Sequence, residues 1–235
     1  MGTASDQISP STYRGAVLAL AIVSATSTAL MLFARYVGAG TYVKGFTLIA
    51  SSAYVLAGVV AGGTKSWPGR FTLVGLAFCW IGDVVGPGNF VAGLYAFLFG
   101  HIAFSASFLA RGVEWKRVFV GVLPVLLTTS ATGLILWPHV SQAEHAPFVF
   151  YSVVISTMLV LAGGVSKRDR VAFIAALVFY VSDILVARWR YAHSSIDGYL
   201  CYMLYYSSCL LFAYCARPSS APEVSQPGTG RSVAA

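Results

Sequence analysis

Phe78–His101 reads FCWIGDVVGPGNFVAGLYAFLFGH, two apolar runs separated by a four-residue break from Gly86 to Asn89. The first run carries a carboxylate, Asp83, close to its end; the second carries Gly93, Phe97 and His101. One hundred residues later the stretch FYVSDILV, Phe179–Val186, sets Asp183 in the same kind of surroundings. An ionised carboxylate in a bilayer core costs roughly 2.5–3.5 kcal/mol on insertion scales. Two of them in a chain so poor in charge call for a reason.

The surrounding composition fixes the class. The 235 residues are 57% hydrophobic and 10% charged, and the mean hydropathy is +0.76. A soluble domain carries about 25% charged residues, so this is an all-α membrane protein, a polytopic bundle of helices. The net charge of +7 points to nucleic acid only where basic residues form a patch with aromatic or polar faces. Here they stand between apolar runs, as charges that orient spans do, and no nucleic-acid partner is expected. Cys79, Cys201, Cys209 and Cys215 all fall inside apolar runs without a CxxC pair. They read as small packing residues rather than as metal ligands or a redox pair.

Working outward, a polar segment, 1–14, precedes a single transmembrane domain, 15–217, and a Pro-, Ser- and Gly-rich tail, 218–235, expected to be disordered. The apolar runs predict about eight spans: 15–34, 43–62, 71–85, 90–110, 118–137, 148–164, 171–187 and 199–216. The first is longer than a signal-peptide core and lacks a cleavage site, so it is expected to stay uncleaved. With the N-terminus in the cytoplasm, eleven lysines and arginines fall on the inner side. Arg35, Lys44, Arg188 and Arg190 fall on the outer. This bias predicts an even number of spans in the cell membrane, with both termini cytoplasmic.

Depth follows from the same tally. Asp83 and Asp183 each lie 13 residues beyond an inner arginine, Arg70 and Arg170, or about 20 Å above the inner face. Lys44 and Tyr151 open their spans from the outer side and His101 and Tyr205 lie deeper, so all six polar groups fall between the outer interface and the midplane. Small residues (Gly82, Gly93, Gly100, Ser182 and Ser207 are the candidates) would let the helices approach and gather these groups. A short echo, Trp80–Val85 against Tyr180–Leu185, repeats aromatic, apolar, small, Asp, apolar, apolar. Two four-helix halves related by an axis along the membrane normal would produce it, and so would chance.

Each polar residue also has a plain structural reading. Lys44 can snorkel from a span end, His101 can be a satisfied core histidine, and the tyrosines can be packing aromatics. Two acids, a lysine, a histidine and two tyrosines at one level favour function, because buried membrane acids default to it. The chemistry they suit is acid–base catalysis in a lipid-accessible cavity. One acid would be protonated and one ionised, acting on a bond that breaks through an oxocarbenium-like state.

At these residues the chain resembles the YhhN-type lysoplasmalogenases, a family of eight-span membrane hydrolases. The matching pieces are Lys44, Gly82-Asp83, and Phe90, Gly93, Phe97 and His101. Tyr151, Met158, Phe179, Ser182-Asp183 and Tyr205-Tyr206 continue the match. The chain departs from the pattern at Gly45, at Gly86-Pro87-Gly88 and at Ser208-Cys209. The resemblance implies hydrolysis of the vinyl ether bond of lysoplasmalogens to a fatty aldehyde and a glycerophospho-alcohol. Asp83 and Asp183 would then be the catalytic acids, with either one donating the proton. Lys44 would hold the phosphate or tune an Asp, and His101, Tyr151, Ser182 and Tyr205 would support them.

The expected partners are a lysophospholipid substrate in the bilayer and the membrane lipids themselves. No cofactor and no metal is expected: His139, His145 and His193 lack HxxxH or HExxH spacing. Two other readings use the same residues. One is a proton-coupled transporter with Asp83, Asp183 and His101 as a relay; the other is a non-catalytic lipid-binding protein whose acids only lock helices together.

Overall fold

The computed structural model describes residues 10–166 and 169–218. The expected tail from 219 onward, most of the polar segment at 1–9, and Lys167 and Arg168 of the inner charge tally lie outside these residues. Within them the chain is a bundle of eight helices: α1 Pro10–Tyr36, α2 Gly40–Val60, α3 Trp67–Val85, α4 Phe90–Arg111, α5 Trp115–Leu136, α6 His145–Gly163, α7 Arg170–Ala192 and α8 Ser195–Cys215. Most begin ahead of their apolar runs, since a helix carries on for a turn past the hydrocarbon and is capped there by polar groups. Ser66 accepts from the Gly69 N–H at the start of α3, with Pro68 in the first turn. Asn89 Oδ1 accepts from Ala92 at the start of α4.

Helices α1 to α7 are long and apolar enough to cross a membrane, and the chain is an integral membrane protein. The eighth expected span differs. Helix α8 has 21 residues but carries five tyrosines, three serines and Asp197, and falls outside that set. Several of its polar residues face inward: Asp197, Tyr205, Tyr206 and Ser208 are buried, so the helix needs less apolar composition than one that meets lipid all round.

The chain packs as hairpins. Helix α1 lies on α2, α3 on α4 and α7 on α8, while α4 packs against α6 and α8 against α2. Phe104 stacks on Phe212 with ring centroids 4.0 Å apart, and Phe108 and Phe179 flank this stack. At the end holding the α4–α5 and α6–α7 turns, Val113 bridges Val165. There the Arg111 guanidinium reaches both Asp169 and the Cys215 carbonyl. Helix α5 is the loosest member, touching α6 and α7 and leaving Phe119, Leu123, Leu127, Leu134 and Ile135 exposed.

The α3–α4 hairpin is the tightest pair, and glycine makes it so. A Cβ on Gly93 would lie 2.6 Å from the Gly86 Cα, and one on Gly82 would lie 2.7 Å from the Phe97 ring. Ser207, expected among the packing residues, is exposed and returns its hydroxyl to the Met203 carbonyl. Its neighbour Ser208 is the one buried between α7 and α8, donating to the Ala175 carbonyl at 2.9 Å. Gly93→Leu is expected to destabilise the protein by about 1–3 kcal/mol, the usual penalty for overfilling a packed contact. The readout is the thermal midpoint in detergent, and an unchanged midpoint would mean that α3 and α4 do not meet here.

Candidate active site

The membrane carboxylates sit in two separate clusters. Asp83, near the end of α3, is buried with one oxygen, Oδ2, facing three hydroxyls. Tyr205 donates at 3.0 Å, Tyr54 at 3.3 Å and Tyr206 at 3.3 Å. The Tyr205 hydroxyl lies 3.0 Å from that of Tyr54 and 3.4 Å from the Cys79 carbonyl. The donors come from α2 and α8, so the carboxylate ties three helices together. Tyr54 escaped the sequence reading. It is a lone aromatic in the small-residue stretch Ser51-Ser52-Ala53-Tyr54, one turn after Ser51 on the same face, and that placement was the available signal.

Asp183, on α7, belongs to a different group. Its Oδ2 lies 3.1 Å from His101 Nε2, an ion-pair distance, yet the atom receives no well-aligned hydrogen bond. The same Nε2 lies 2.9 Å from the Tyr151 hydroxyl, which also faces the Asp183 carboxylate. The other ring nitrogen of His101, Nδ1, lies 3.3 Å from the Met158 sulfur. Phe179 and Tyr151 stand edge-on to the imidazole, with centroids at 4.7 and 5.3 Å, and the ring is wholly buried.

The expected pair of acids around one centre is therefore not the arrangement in the bundle. Among the described residues no hydrogen bond joins the two clusters. A chain of ring contacts runs from Tyr205 to Phe179 to His101 instead. Lys44 joins neither group. It is exposed and among the described residues makes no hydrogen bond or ion pair; it lies ten residues, about 15 Å along α2, from Tyr54, the residue that does reach Asp83. Ser182 is buried, but its hydroxyl donates to the Phe179 carbonyl of its own helix at 2.7 Å.

What distinguishes the two acids is access. A cleft between α5, α6 and α7, closed at one side by Phe90 and Leu94 of α4, is lined by Tyr151, Ile155, Tyr180, Asp183 and Ile184. Asp83 does not line it. The Asp183 side chain keeps 13% of its surface exposed, and the cleft wall opposite is the loosely packed α5. There Thr129 bonds the Tyr180 hydroxyl at 2.7 Å and Ser156 at 2.8 Å. The cleft is mostly apolar, with the Asp183 carboxylate and the Tyr151 phenol at its inner wall and the buried His101 imidazole behind them. His145 is used elsewhere, stacked on Trp137 and bonded to the Val140 carbonyl. Among the described residues no three His, Cys, Asp or Glu side chains converge to hold a metal ion.

The YhhN family model matches residues 39–215, which include every helix that builds either cluster. The chain belongs to the YhhN family. No curated protein and no solved structure matches it.

Tyr205→Phe keeps the ring contacts and removes one donor from Asp83. The expected loss is about 1.5–3 kcal/mol, as for a hydrogen bond to a charged group, read from thermal unfolding in detergent. A variant as stable as the parent would show that the hydroxyl does not support the carboxylate.

Proposed function

We propose that this YhhN protein is a membrane hydrolase that cleaves the vinyl ether bond of lysoplasmalogens. The observation that carries the reading is that Asp183, backed by His101 and Tyr151, faces an apolar cleft bounded by the loosely packed helix α5. Such a cleft suits a single-chain lipid: the alkenyl chain lies among Leu94, Ile155 and Ile184 while the head group stays at the water interface. The lysine and arginine bias favours both termini in the cytoplasm, which turns the Asp183 end of the cleft toward the outer leaflet.

The chemistry follows from the residues at the inner wall. Asp183, as the carboxylic acid, gives its proton to the β-carbon of the vinyl ether, and the C=C electron pair forms the new C–H bond. The α-carbon and ether oxygen then share the positive charge as an oxocarbenium ion, which the Asp183 carboxylate stabilises. Water adds to the α-carbon and its proton returns to Asp183. The hemiacetal collapses to aldehyde and alcohol, so the net reaction consumes one water. His101, 3.1 Å from the carboxylate, holds or relays the proton between steps, and Tyr151 fixes the imidazole. Asp83 lies outside the cleft and acts through the position of α8, which it ties to α2 and α3.

The test is aldehyde release by purified protein offered alkenyl, alkyl and acyl lysophospholipids side by side. Cleavage of the alkenyl lipid alone is expected. Asp183→Asn, checked for folding, is expected to lose about 10²–10⁴-fold in turnover, the usual contribution of a positioned proton donor, and more than Asp83→Asn loses. Near-normal turnover in Asp183→Asn would end the proposal. Proton-driven flux in liposomes without lipid product would install the transporter in its place.

A further inference from the structure

Next to the cleft residues Phe90 and Tyr191 stands a charge pair, Arg190 and Glu144. Arg190 lies seven residues beyond Asp183 on α7, on the same helix face and about 10 Å further along the axis. Its guanidinium sits over the ring of Phe90, which lines the cleft, at 4.7 Å from the centroid. Arg190 Nη2 pairs with Glu144 Oε1 at 3.0 Å, the arginine 45% and the glutamate 14% exposed. Tyr191, another lining residue, faces the Glu144 carboxylate. A cation and an anion thus stand together beside the end of the cleft that Phe90 and Tyr191 line.

The spacing matches the substrate class proposed above, on which this inference rests. From the vinyl β-carbon of an alkenyl lysophospholipid to its phosphorus there are seven bonds. At the extension of an ordinary chain that is ~8 Å. With the vinyl group at Asp183, the phosphate comes level with the Arg190 guanidinium, whose flexible stem covers the small difference. Half-exposed, Arg190 spends one N–H on Glu144 and keeps others for phosphate oxygens.

We infer that Arg190 and Glu144 form a head-group site selecting zwitterionic lysophospholipids, with the phosphate on Arg190 and the ammonium group on Glu144. The existing ion pair makes this an exchange: the pair opens and each partner meets an opposite charge, so no charge is left unpaired. A phosphoglycerol head group offers only the anion. It takes Arg190 from Glu144, leaves the carboxylate without a partner beside the phosphate, and is disfavoured. Arg190 and Glu144 touch no reacting atom; they position and select.

The experiment measures equilibrium binding of two uncleavable saturated-ether lysolipids to the purified full-length protein in neutral detergent. One carries phosphoethanolamine and the other phosphoglycerol. The parent protein is expected to prefer phosphoethanolamine by about tenfold, the worth of one charge-assisted hydrogen bond. Glu144→Gln should abolish that preference while still binding both lipids. Arg190→Gln should weaken both about tenfold, and Arg190→Lys should restore part of the loss. Equal binding of the two head groups by the parent protein overturns the inference, as does a parental preference in Glu144→Gln or unweakened binding of both lipids by Arg190→Gln. Weaker binding of both lipids by Glu144→Gln with a lowered thermal midpoint marks the pair as a helix tie and overturns it too. Because binding is read without turnover, a parent protein that shows the preference but releases no aldehyde sinks the hydrolase reading and leaves the head-group site standing.

Discussion

A carboxylate at membrane depth has no water to turn to, so neighbouring helices must supply its donors. Asp83 satisfies that constraint with three phenols on one oxygen, and in doing so dictates which helices share the centre of the bundle. Helix α3 brings the acid, α2 brings Tyr54, and α8 brings Tyr205 and Tyr206. The composition of α8 follows from the same demand. Its tyrosines and buried serine lower its hydropathy below that of the other seven helices, yet those residues are what allow it to sit in the interior.

The Asp183 cluster repeats the plan with different residues. Its acid lies on α7 where the first lies on α3, its phenol on α6 where the first has α2, and its third member on α4 where the first has α8. The packing of α4 on α6 and of α8 on α2 follows the same exchange. The two sites differ in one way that bears on chemistry. A histidine replaces the paired tyrosines, and the outer neighbour α5 packs loosely enough to leave a cleft. One acid is enclosed by donors; the other keeps an oxygen without a well-aligned partner beside an apolar opening.

Much of the architecture was legible because it is written in runs. Helix number, the α3–α4 break at Gly86–Asn89 and the membrane class all follow from where apolar stretches stop. The two aspartates were legible as anomalies of composition. Which helix answers each acid was not, since a tyrosine in a span reads alike whether it faces lipid or a carboxylate; Tyr54 passed unnoticed for that reason. Lys44 was over-read in the opposite sense, because a charge near a span end carries no mark of direction. Arg190 entered the sequence reading only as a topological charge. Its partner Glu144 is distant in sequence, and its support Phe90 belonged to the family stretch for unrelated reasons.

The loose seat of α5 is where packing and chemistry meet. Pro124 inside that helix removes a backbone donor, and its exposed leucines leave few contacts to hold it against α6 and α7. Thr128 and Thr129 reach the Tyr180 hydroxyl at 3.1 and 2.7 Å, so hydrogen bonds join the apolar contacts of Val125 and Leu136 in holding the helix across the cleft. In lipid such bonds are worth about 1 kcal/mol apiece, enough to seat α5 and too little to seal it. On the hydrolase reading proposed above, a chain of methylenes would enter through this wall without breaking the tight α3–α4 and α7–α8 hairpins. On that reading the scaffold that positions Asp183 and the wall that would admit a lipid are thus carried by different helices, and the first can stay rigid while the second yields.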